Sequence, residues 1–95
     1  MKVTLVVDRA GKLLCRPAER ASVPEVGRAF TIEDEDPAFA SNVLAVATGP
    51  NRVPLVYGGP WPHHADDPDL KRHAFRACDA KERDAIEAEL AKGAD

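Results

Sequence analysis

Aromatic residues are scarce in this 95-residue chain: one Trp, one Tyr and three Phe. Large aliphatic residues are also few. Leu, Ile, Val and Phe number 21, whereas alanine alone numbers 16. This is only a little above the roughly 20% below which chains tend to stay disordered. The net charge of −3 is low enough to argue for a folded chain all the same. One domain spanning residues 1–95, with a small core, is expected from this length and composition.

Other absences exclude function classes. The N-terminal apolar run, Val3 to Val7, is too short for a leader core or a membrane span. A soluble, cytoplasmic protein that does not engage a membrane is the expectation. No block of the chain is strongly basic. Arg9, Lys12, Arg16, Arg20 and Arg28 would give at most a weakly positive face, so nucleic acid is not an expected partner. The only cysteines, Cys15 and Cys78, lie far apart and in no C-x-x-C pair. That excludes a zinc ribbon or a redox motif, and the two read as buried free thiols. Ser22 and Ser41 sit in no nucleophile elbow. Gly58-Gly59-Pro60 lacks the Lys and Ser/Thr of a phosphate loop, and its Pro lacks an N–H. No catalytic set emerges, and the chain does not read as an enzyme.

The elements that are present come in order. Residues 2–16 read as a hairpin that turns at Asp8-Arg9-Ala10-Gly11, with Pro17 ending the pairing. Residues 17–27 read as a loop and 28–32 as a short strand. Residues 36–48 are ambiguous. Asp36-Pro37 and Gly49-Pro50 look like the start and stop of a helix, yet Val43 to Ala47 would also suit a buried strand. Four alanines within 38–47 tip the reading toward helix. Residues 53–57 read as a strand, at an edge or starting late because of Pro54. Asp67-Pro68-Asp69 opens one C-terminal helix. Asp79 with Glu82 forms a capping box for a second, from about Ala80 to Lys92. The fold class expected is therefore α+β: a small antiparallel sheet, made of the N-terminal hairpin and one or two further strands, with helices of which two are C-terminal.

The segment GPWPHHADDPD, residues 59–69, concentrates the unusual side chains. Tyr57 and Trp61, the only Tyr and Trp, flank a Pro/Gly stretch that is stiff because residues before proline are restricted. A stiff aromatic loop suits a protein partner, since Trp and Tyr are frequent interface anchors. The chain is read as a small protein-binding module, a regulator, inhibitor or accessory subunit. Tyr57 and Trp61 are its anchors. The thin helical stripe of Ile86 and Leu90 and the acidic run Glu33-Asp34-Glu35 are secondary contacts or a self-association surface. The alternative is a zinc protein, with His63, His64, Asp69 and His73 as ligands. Asp69 and His73, four apart, would share a helix face. No established metal motif matches that spacing.

Overall fold

The computed structural model describes residues 1–9, 11–30, 41–60 and 75–92. Its centre is β1 (Lys2–Arg9), whose Val3-Thr4-Leu5-Val6-Val7 run is buried throughout. A strand buried on both faces reads as a continuous apolar run rather than as an alternation. On one side β1 pairs antiparallel with β2 (Lys12–Glu19). The tight turn between them follows the sequence expectation: Gly11 has φ +83° and its N–H donates to the Asp8 side chain at 3.0 Å. Pro17 does not end the hairpin. It pairs with Thr4, and β2 continues to Glu19. Among the described residues the outer partner of β2 is registered against Leu14 and Cys15 only, so no ladder bond there calls for an N–H at Pro17.

The short strands β3 (Ala29–Phe30) and β4 (Ser41–Asn42) form a separate two-stranded sheet. The described part of the strand expected at 28–32, residues 28–30, thus does not join the main sheet. β5 (Ala45–Thr48) and β6 (Pro54–Pro60) form a second hairpin across the Gly49–Val53 turn. β6 then lies parallel to β1. β7 (Arg76–Ala77) adds to the outer side of β2, and α1 (Ala80–Lys92) comes next. The main sheet has the order β5-β6-β1-β2-β7 and is mixed, not antiparallel.

Three further expectations are corrected. The helix favoured for 36–48 is absent across its described part, where 41–42 and 45–48 are strands. The alanines that suggested a helix have another use. Ala45 and Ala47 face α1 and pack with Ile86, and their small side chains let the helix lie close over the sheet. Of the two readings of the Pro54 strand, the edge is overturned and the late start holds: β6 is an interior strand that begins at Pro54, where a proline is tolerated. Only one C-terminal helix is present among the described residues. The other expected helix falls at 67–74 outside them, and its remaining end, Arg76–Ala77, is strand.

The core has two halves, one on each face of the sheet. On one face Val3, Leu5, Val7, Val43 and Val56 surround Phe30. The Phe30 ring lies directly on Gly58, where a Cβ would stand 2.5 Å from the ring, so β6 must carry glycine there. On the other face Val6, Cys15, Ala45, Ala47, Leu55 and Tyr57 pack with Ile86 of α1. No helix among the described residues is long and apolar enough to cross a membrane.

Candidate functional site

The aromatic loop expected from the sequence is rooted in β6. Tyr57 is 7% exposed, and its side chain belongs to the core on the helix face. Burial raises its pKa above the ordinary 10.0, and the nearby Asp8 carboxylate raises it further. The Tyr57 backbone still holds a neighbour in place: the Leu44 N–H donates to its carbonyl at 2.8 Å. Leu44 is 54% exposed and lies against Gly59, where a Cβ would stand 2.9 Å from Leu44 Cδ1. Gly59 has φ +86° and sits where β6 carries one residue more than β1, between the Val6–Tyr57 and Asp8–Pro60 pairs. Such a bulge bends its own strand and increases the local twist. Val26, 64% exposed, precedes Gly27, whose N–H donates to the Val43 carbonyl at 2.8 Å. Two exposed apolar residues therefore flank one backbone hydrogen bond at the root of the loop.

The other expected site residues divide into two groups. Ile86 is fully buried, and Leu90 is half-buried against the same core half, so this stripe faces the sheet. Trp61, His63, His64, Asp69 and His73, and the acidic Glu33, Asp34 and Glu35, lie outside the described residues.

A second constellation escaped the sequence reading. Cys15 and Cys78 are not free thiols; they form a disulfide with their Cα atoms 5.2 Å apart. The Cys78 N–H donates to the Leu13 carbonyl at 3.1 Å, which extends the β2–β7 ladder and sets Cys78 diagonally from Cys15. The bond joins β2 to the segment that leads into α1. Beside it the capping box forms as expected. The Glu82 N–H donates to Asp79 Oδ1 at 2.9 Å, and the Asp79 N–H donates to Glu82 Oε1 at 3.1 Å. Glu82 is also buried, and it accepts a two-pronged grip from Arg76: Nη1 to Oε1 at 2.9 Å and Nη2 to Oε2 at 3.1 Å. The hydrogen bond to Glu82 raises the Arg76 pKa above its ordinary value, so the guanidinium is fixed as a cation.

The sequence held only part of this signal. Glu82 was legible as a capping residue, but a pair six residues apart across a strand–helix junction obeys no helical spacing rule. The proximity of two cysteines 63 positions apart depends on the sheet order. A cleft of about 300 Å³ opens next to the cluster, lined by Lys2, Thr4, Asn51, Arg76, Asp79 and Glu82 among others. Comparison with known protein families, with curated proteins and with solved structures gives no match to this chain.

Proposed function

We infer that the protein is a non-enzymatic binding module for another protein, a regulator, inhibitor or accessory subunit, that docks through the root and the arm of its aromatic loop. The observation that supports this reading is Leu44. A half-exposed leucine is held by the Tyr57 carbonyl against Gly59, the residue that leads into Pro60-Trp61-Pro62 in the sequence. An apolar side chain on a rigid backbone loses little freedom on binding. Leu44 and Val26 supply apolar contact area at the root, and Trp61 is the anchor. Tyr57 contributes through its backbone, which positions Leu44, and through a ring that holds β6 to the core.

A photo-crosslinking amino acid placed at position 44 in the native host tests this reading. One dominant covalent adduct with a different protein is expected, competed by excess wild-type chain and lost when Trp61→Ala is added. Adducts scattered over abundant, unrelated proteins, or an adduct indifferent to Trp61, would overturn it.

A further inference from the structure

We propose that, when the Cys15–Cys78 bond is reduced, the two sulfurs and Glu82 become a binding site for a thiophilic divalent cation of the zinc type. The sulfurs and a Glu82 carboxylate oxygen already lie within 4.8 Å of one another. Two thiolates and a carboxylate are a donor set suited to zinc, and a water from the adjoining cleft completes four-coordination.

The third ligand is already oriented. An ionised carboxylate offers about four lone-pair sites. Arg76 Nη1 and the Asp79 N–H occupy two on Oε1, and Arg76 Nη2 occupies one on Oε2. Among the described residues these bonds leave lone-pair capacity on the carboxylate for a cation. Donors that hold a ligating carboxylate in place are the usual outer shell of a metal site. The charges also close. Two thiolates and Glu82 carry three negative charges, and a divalent cation with Arg76 carries three positive ones. A buried cluster of zero net charge avoids the penalty of an unpaired ion.

The chemistry balances with an external dithiol as reductant. Its first thiolate attacks Sγ of Cys78, the less buried of the two residues, and Cys15 Sγ leaves. The second dithiol sulfur then displaces Cys78 Sγ and closes a disulfide on the reductant. Two electrons and two protons pass to the protein thiols. Cation binding releases both protons to solvent and replaces the covalent link between β2 and α1 by a coordinate one. Each state excludes the other, so the reducing power of the surroundings selects between them.

The test is a titration of the full chain with cobalt(II), in the reduced and the oxidised form. Reduced protein is expected to take one cobalt per chain with a sulfur-to-cobalt charge-transfer band, and oxidised protein to show none. Glu82→Gln should weaken cobalt binding at least ten-fold, and Cys15→Ser should abolish the band. Because these variants remove structural bonds, X-ray absorption of the zinc-loaded wild type provides a reading that needs no substitution. Two sulfurs and only light-atom neighbours without imidazole scattering are expected. No charge-transfer band from reduced wild type would overturn the proposal, as would imidazole ligands in the absorption spectrum or unweakened binding by folded Glu82→Gln.

Discussion

The two faces of the central sheet are built from different chemistry. On the β3–β4 side the core is aliphatic around one aromatic ring, and Phe30 seated on Gly58 is its keystone. On the α1 side the apolar residues are smaller, and the buried or half-buried groups include Thr4, Asp8, Tyr57, Glu82 and the disulfide. The first face is held by packing and by the backbone bonds of β3 and β4. The second carries a helix whose one fully buried residue is Ile86, so a covalent bond, a capping box and a two-pronged ion pair hold it at its N-terminal end. The lesson is one of compensation: where alanines stand in place of larger apolar residues, polar and covalent links take over the work of area. One face should therefore answer to volume, and the other to redox state and pH.

The largest effect expected is Phe30→Ala. Loss of a fully buried aromatic ring costs about 4 kcal/mol, read from chemical denaturation. Hydrogen exchange should rise first at Gly27 and Val43, whose backbone bonds hold the β3–β4 side. If exchange rose equally over α1, the two faces would be one cooperative unit and the contrast would fail. Reduction of the disulfide comes next. The bond closes a span of 63 positions. Chain entropy assigns such a loop about 4 kcal/mol, and residual structure in the unfolded chain lowers this to about 3 kcal/mol. Exchange should then rise in residues 76–82 and at the Leu13 to Cys15 edge while the Phe30 side stays protected.

What the sequence made legible lies mostly in local patterns. The first hairpin with its Gly11 turn, and the capped helix from Ala80 to Lys92, come from turn chemistry and an S/T/D-x-x-E box that act within a few residues. The rest depends on partners distant along the chain. Alanine at 45 and 47 favours helix by propensity, but beside β6 and beneath Ile86 it is the residue small enough for the space. Tertiary packing overrides propensity there. The parallel β1–β6 pair has no local signature. Of the site, Glu82 was readable as a cap, whereas its ion pair with Arg76, its nearness to both sulfurs and the exposure of Leu44 all arise from the strand order.

Glu82→Gln sharpens the contrast at a smaller scale. The amide keeps the size and can still accept the Asp79 N–H, but it loses the charge that Arg76 grips. Arg76 is about half exposed and stays solvated, so the cost is modest, about 1 to 2 kcal/mol. Equilibrium unfolding should show this loss shrinking as salt is added, whereas the cost of Phe30→Ala should not respond to ionic strength. A salt-independent Glu82→Gln loss would mean that the cap geometry, not the ion pair, is what the substitution removes.

The smallest effect is a pH dependence confined to the helix face. Burial, aided by the Asp8 carboxylate, raises the Tyr57 pKa in the folded state above its unfolded value of 10.0. Between the two values the folded chain therefore holds a proton that the unfolded chain has lost. The stability this provides is fully present below pH 10 and declines as the pH rises through the folded value. Tyr57→Phe keeps the ring in the core and removes the titrating group. The stability difference between wild type and Tyr57→Phe should be flat from pH 8 to about pH 9 and then move against the wild type at higher pH. A difference that stayed constant through this range would show that the Tyr57 hydroxyl titrates as freely in the folded chain as in the unfolded one, and that the helix face does not impose the ionisation penalty its burial implies.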